Sequence, residues 1–264
     1  AFAIVSRPQS AAVPLVAGLW QSWGQRSLKP ALKIGAASAF GVLVLLIYNR
    51  INSGQWAVLT GSYAGRGEAA IAPVVNQEAS YLGPLRPLYD LWGAFLSPWR
   101  GVVVLSPWLL LLIPGLRQAW RGSPLWVRSS ALGGLGYLLV QLLGNRYSGG
   151  LGYFGYRVTL EPLFLCLPLL ALSFQGWVAN SRWRLRIFFG LALASLWWFA
   201  WGALYFRLPV GADFDPWRFD FLDPWRTGQI GQLVLSLLVA LGIAAVMRWI
   251  WKQPGSRDAL IEIV

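Results

Sequence analysis

Arg100 and Arg157 are the side chains in this sequence best suited to holding an anion, and each stands at the edge of an apolar run. A guanidinium offers phosphate oxygens a planar fork of hydrogen bonds and keeps its charge at any physiological pH. Arg100 belongs to the stretch Ser97-Pro98-Trp99-Arg100-Gly101, and a second Ser-Pro pair, Ser106-Pro107, lies inside the run that follows. Arg157 ends a loop, residues 145–157, that carries Gly149, Gly150, Gly152 and Gly155 together with Tyr147, Tyr153 and Tyr156. Glycines allow a backbone to approach a ligand closely. Tyrosine rings can stack on a sugar while their hydroxyls donate hydrogen bonds. Glu161 stands at i+4 from Arg157, the spacing at which helical side chains pair. Asp90 and Glu68 are weaker candidates for a general base that would deprotonate a hydroxyl nucleophile. A plain hairpin with an Arg-Glu pair at a helix start accounts for the loop equally well, and exposed charges contribute little by themselves.

Composition decides what kind of element must position these groups. Of 264 residues, 56% are hydrophobic and only 12% are charged, about half the share expected of a soluble domain. Mean hydropathy is +0.53. These values predict an all-α, polytopic membrane protein. The 17 tryptophans agree, because indole favours the headgroup level. No histidine is present, which removes the commonest metal ligand and general base and excludes Ser-His-Asp triads within the chain. The single cysteine, Cys166, lies in an apolar run and reads as a small buried hydrophobe. A net charge of +12 invites a nucleic-acid reading, but the basic residues are dispersed between apolar runs, so topology explains them better and no nucleic-acid partner is expected.

Seven apolar segments can be marked, at roughly 9–24, 32–49, 101–116, 128–145, 158–174, 187–206 and 229–250. The first is the weakest, since Pro14 is expected to interrupt it. Alternate connections differ in charge. Arg26, Lys29 and Lys33 form one basic group, Arg117, Arg121 and Arg128 a second, Arg182, Arg184 and Arg186 a third, and Arg248, Lys252 and Arg257 a fourth. The intervening connections hold Glu68, Glu78, Asp90, Asp213, Asp215, Asp220 and Asp223 mixed with arginines. The basic set therefore faces the cytoplasm and the mixed set faces outward. Residues 1–250 are expected to form a transmembrane bundle with outer loops 50–100, 145–157 and 207–228, and residues 251–264 a short cytoplasmic tail. In the last outer loop, "DFDPWR" and "FLDPWR" form a near-repeat whose tryptophans suit interfacial anchoring. The one methionine is Met247, so residue 1 is not a translation start, and a fragment of a longer protein is expected.

The order of three stretches resembles a known family. They are Tyr48-Asn49 with Gly54, then "GAFLSPWRGVVVLSPWLLLLIPGL", then "GGLGYFGYRVTLEPLFLCLPLL". Together they look like the C-terminal half of bacterial C-type glycosyltransferases, the superfamily of protein O-mannosyltransferases and lipid A aminoarabinose transferases. The matching positions are Ser97, Pro98, Arg100, Gly101, Ser106 and Pro107, then Gly149, Gly150, Gly155, Arg157, Pro162 and Pro168. Trp99 departs from a usual glycine, and Asn145-Arg146-Tyr147 replaces a Trp-containing approach, which puts sugar and acceptor identity in doubt. The resemblance implies inverting transfer of a sugar from a polyprenyl-phosphate carrier to an acceptor hydroxyl, on a saccharide, lipid or protein, at the outer face of the bacterial inner membrane. It also implies that Arg157, Arg100, Gly149, Gly150 and Ser97 bind the substrate or its lipid phosphate, with Tyr153 added to them from the loop's own chemistry, and that the catalytic carboxylate is expected upstream of this chain. No cofactor is implied. Outer-loop carboxylates can bind a divalent cation, but no ligand spacing argues for one. A lipid-linked saccharide transporter or a non-catalytic membrane protein is the alternative.

Overall fold

A computed structural model describes residues 8–54, 56, 86–98, 100–144, 155–205 and 229–251, and those residues are mostly helical with no β-strand among them. The helices are α1 (Ala12–Gln25), α2 (Lys29–Ser53), α3 (Arg86–Leu96), α4 (Val102–Leu105), α5 (Ile113–Gly122), α6 (Leu125–Gly144), α7 (Arg157–Ser173), α8 (Arg182–Tyr205) and α9 (Ile230–Trp251). A 3-10 helix spans Pro107–Leu112, and a π segment, Phe174–Val178, extends α7.

Four helical stretches are long and apolar enough to cross a membrane: Lys29–Asn52, Val158–Val178, Arg182–Tyr205 and Ile230–Trp249. Their exposed surface is hydrocarbon. Only 17% of the last window is buried, and Leu235, Leu238 and Val246 lie open on it. Apolar exposure on that scale suits lipid and not water. Exposed tryptophans mark the helix ends. Trp23, Trp126, Trp183 and Trp249 each lie within a few residues of a basic group. That placement is the interfacial belt expected of membrane helices.

The other three apolar segments are helical but differ from simple spans. Helix α1 has 14 residues, about 21 Å at 1.5 Å per residue, short of a ~30 Å hydrocarbon core. Pro14 does not interrupt it. It falls in the first turn, where a missing N–H costs nothing. Helix α6 has 20 residues but dilutes its apolar content with Arg128, Ser129, Ser130 and Gln141. The segment at 101–116 is broken into α4, the 3-10 helix and the start of α5. Arg182, Arg184 and Arg186, expected in a connection, belong to the first turns of α8. Arginine is a good helix former, and its apolar stem can lie along the bilayer while its head reaches water.

The chain divides into two compact units, and α7 contributes residues to both. In the first unit α1 packs on α6 and on α2. Small residues make this possible. A Cβ on Gly136 would lie 2.7 Å from Val16 Cγ2, and one on Gly133 would lie 3.0 Å from Val13 Cγ1. Close backbone approach through glycine substitutes for the missing hydrophobic drive between helices in lipid. Hydroxyls add polar ties. Ser130 Oγ donates to the Leu165 carbonyl at 2.7 Å, and Ser22 Oγ accepts the Ala31 N–H at 3.0 Å. The second unit is built on α8, which packs against α9 and against the 3-10 helix. Trp197 Nε1 donates to the Leu233 carbonyl at 3.1 Å and lies 3.0 Å from Ser236 Oγ.

Candidate functional site

The proline-broken stretch that runs from Ser97 to Leu112 in the second unit concentrates buried polar groups. Pro98 and Pro107 cannot donate backbone hydrogen bonds, and the residue before a proline is driven away from helical geometry. Ser106 accordingly sits at φ −136°, ψ 64°, and closes α4 after a single turn by donating its N–H to the Val102 carbonyl at 2.9 Å. The 3-10 helix that follows runs six residues, longer than the three or four usual for such helices. From α4 through α5 the contour is about 33 Å at standard rises, long enough to match a hydrocarbon core. Irregular backbone at membrane depth must be satisfied by protein. Ser173 Oγ supplies one such bond by donating to the Leu112 carbonyl at 2.5 Å.

Ser97 and Arg100 share the tight turn that launches α4. The Gly101 N–H donates to the Ser97 carbonyl at 2.6 Å. Gly101 is required there, because an added Cβ would lie 2.5 Å from Ser97 O and 2.6 Å from Ser97 N. The sequence placed Arg100 at the edge of an apolar run, where a phosphate could reach it. The structure instead buries it to 2% exposure, with Ser97 fully buried. Both side chains are engaged in polar or electrostatic interactions. Asp90, on α3 in the first unit, is also buried to 2% and engaged. Asp90, Gly93, Ala94 and Ser97 form one buried stripe at helical spacing, while Leu88, Tyr89, Leu91 and Trp92 are exposed.

The end of the glycine-rich loop reaches the broken helix. Ser106 Oγ and Tyr156 Oη lie 2.9 Å apart in a hydrogen bond, and the Tyr156 ring meets Phe199 edge-on at 5.4 Å. Gly155 precedes it at φ +98°, a backbone state that L side chains rarely adopt, and a Cβ there would approach Phe199 Cε1 to 3.0 Å. Burial pushes the Tyr156 phenol up, and the bond to Ser106 partly offsets that rise. A raised phenol contributes stability that is present below its ordinary pKa of 10 and is lost as pH rises through the folded value. Tyr156→Phe is therefore expected to cost about 1 kcal/mol near neutral pH, because it leaves a buried Ser106 hydroxyl unsatisfied. Above pH ~10 the gap to wild type should narrow. Thermal unfolding measured across pH checks this, and parallel curves would refute it.

Arg157 opens α7, directly after Tyr156. Its side chain, and Glu68, Gly149, Gly150 and Tyr153, lie outside the described residues. Glu161 lies within α7, half-buried and engaged, in the first unit. Among the described residues, no three of His, Cys, Asp and Glu come together to hold a metal ion. Two of the polar pairs that escaped sequence reasoning are buried or half-buried. One is Ser106–Tyr156, separated by fifty residues. The other is Gln141 Nε2 donating to Tyr137 Oη at 2.7 Å, buried within α6. The second had a local signal, since two polar groups at i and i+4 inside an apolar run face one another. No protein-family model, no curated protein and no solved structure matches the chain.

Proposed function

We propose that this chain acts as a membrane glycosyltransferase that moves a sugar from a polyprenyl-phosphate carrier to an acceptor hydroxyl on the outer face. The observation that carries the reading is a charged guanidinium, Arg100, buried beside a proline-broken segment in a chain otherwise built of apolar helices. An ionisable group at such depth is costly and is a functional hypothesis by default. In the reaction, the acceptor oxygen attacks the anomeric carbon as the bond to the phosphate oxygen breaks, through an oxocarbenium-like transition state. The acceptor proton passes to a carboxylate, and the leaving lipid phosphate keeps the bonding electrons. Arginine is matched to that developing charge. Arg157 and Arg100 are the residues assigned to it, with Ser97, Tyr153, Gly149 and Gly150 shaping the pocket. Asp90 and Glu68 are the weak candidates for the base. Because Arg100 is sealed by protein, this reading requires its cover to withdraw when the carrier enters.

The test uses the protein in proteoliposomes with a radiolabelled polyprenyl-phosphate sugar. Arg157→Ala is expected to reduce transfer to the acceptor by about 100-fold or more, the scale of losing one preorganised charge-stabilising group, while insertion is unchanged. Wild-type transfer in that variant removes Arg157 from the site. The long 3-10 segment favours a second reading, because transporters bind substrate at discontinuous helices. The same assay separates the two. A transporter delivers the labelled sugar to the other leaflet still joined to its carrier.

A further inference from the structure

The corner between α1 and α2, within the first unit, carries a cation where glycine would suit the backbone better. Arg26 caps α1 at φ 48°, ψ 38°, and it is the one non-glycine residue at positive φ among the described residues. The left-handed state crowds Cβ against the next carbonyl oxygen, which is why helices so often end on glycine. The capping bond itself comes from the Arg26 N–H, which donates to the Trp23 carbonyl at 3.2 Å, and a glycine would supply the same bond. The arginine side chain stands exposed. An arginine kept in a disfavoured backbone state that its side chain does not serve points to a use for the guanidinium outside the turn. Lys29 raises the same question. It opens α2, at the positive end of the helix dipole, and the first turn there holds no acid.

Arg26, Lys29 and Lys33 are all exposed. The first acid in the sequence is Glu68. Among the described residues the acids are Asp90 and Glu161, and neither is exposed. The corner is held in shape by protein. Ser22 Oγ accepts the Ala31 N–H at 3.0 Å, the Ser27 N–H donates to the Ser22 carbonyl at 3.1 Å, and a Cβ on Gly24 would lie 3.0 Å from Leu125 Cδ1. Large apolar side chains stand in the open among the cations. Trp23 is 83% exposed, Leu28 72% and Leu32 68%. Cations interleaved with indole and leucine match a bilayer interface, where apolar groups enter the acyl boundary and cations meet phosphates. Helix α2 is long and apolar enough to cross a membrane over the 24 residues Lys29–Asn52. That length is about 36 Å at 1.5 Å per residue, against a hydrocarbon core of about 30 Å, so the first turn of a crossing α2 emerges among headgroups. We propose that the α1–α2 corner binds anionic phospholipid headgroups, with Arg26, Lys29 and Lys33 on the phosphates and Trp23 and Leu28 in the interface. The site requires α2 to cross the bilayer and does not depend on the glycosyltransferase reading.

The test reads lipid preference and stability on the same variants. The full chain is reconstituted in vesicles of mixed phosphatidylglycerol and phosphatidylcholine and recovered with its lipids, which are counted by native mass spectrometry. Unfolding temperature is measured in neutral detergent, where no anionic lipid contributes. Wild type is expected to retain phosphatidylglycerol over phosphatidylcholine. Arg26→Gly should weaken that preference about 5-fold, the share of one cation near an anionic surface. Its unfolding temperature should be at least that of wild type, because glycine relaxes the turn. Lys29→Gln/Lys33→Gln should weaken the preference about 25-fold. Arg182→Gln/Arg186→Gln removes two exposed cations from the second unit and should keep the wild-type preference. Wild-type preference in Arg26→Gly overturns the proposal, and is the result expected if the corner served an acidic protein instead. A lower unfolding temperature in Arg26→Gly also overturns it, since the arginine would then be kept for the fold. So does an equal loss in the Arg182/Arg186 pair, which would mean diffuse charge. Wild type that floats with phosphatidylcholine vesicles but shows no preference for phosphatidylglycerol removes this site and spares the membrane reading. Wild type that enters no vesicle removes both.

Discussion

Arg100→Lys is expected to lower sugar transfer about 100-fold while the protein still inserts and folds. The lysine keeps a cation and most of the side-chain length, so the turn from Ser97 to Gly101 retains a charged occupant of similar reach. It loses the planar fork that matches phosphate oxygens, and a buried ammonium sheds its proton more readily than a guanidinium. An arginine that only holds the turn together would behave differently. Its loss would appear as a lowered unfolding temperature with activity falling in proportion. An arginine that stabilises the departing phosphate shows its loss in kcat, with KM for the carrier little changed. Kinetics with the carrier lipid, set beside thermal unfolding of the same preparation, separate these outcomes. Wild-type kcat in Arg100→Lys would remove Arg100 from the transfer reaction.

Gly101→Ala is expected to be the most damaging single methyl group that can be added near the site. The new Cβ would meet Ser97 O at 2.5 Å, Ser97 N at 2.6 Å and Leu96 C at 2.7 Å. All three are backbone atoms, so no side chain can swing aside, and the turn itself must open. Overpacking of this kind costs about 1–3 kcal/mol. The apparent unfolding temperature should fall by about 4–8 °C for a cost near the middle of that range. Transfer should fall further than stability alone predicts, because a displacement of about 1 Å in a positioned group can cost 100-fold in rate. Gly35→Ala is the matched control. Nothing lies within 4 Å of a Cβ there, and alanine favours the helix. Should Gly101→Ala melt like that control, the tight turn does not govern the site.

Helix content and apolar length were legible in the sequence because each depends on local composition. A run such as Ile230–Trp249 is long and apolar enough to cross a bilayer whatever it packs against. Boundaries were less legible where a polar residue is also a good helix former. Arg182, Arg184 and Arg186 therefore extended α8 beyond its apolar core. The break at Ser106-Pro107 was readable from proline chemistry, but its outcome was not. The same letters permit a kinked helix or the 3-10 segment found at Pro107–Leu112.

Pairings between elements belong to the tertiary structure. Leucine faces lipid and leucine with nearly equal energy, so apolar periodicity cannot say which helix meets which. Only the fold set α1 on α6 through Gly133 and Gly136, and α5 on the π segment through Gly115. It also carried Tyr156 to Ser106 across fifty residues. The sequence supplied Arg100 as a phosphate-matched group at a helix edge. Its burial to 2% was decided by packing, since exposure depends on what covers a side chain and not on the side chain itself. The sequence by itself determined a helical protein with runs apolar enough to cross a membrane, and a short list of groups able to hold an anion. The tertiary structure decided which of the described groups are buried, which hydroxyls pair, and where glycine is the only residue that fits.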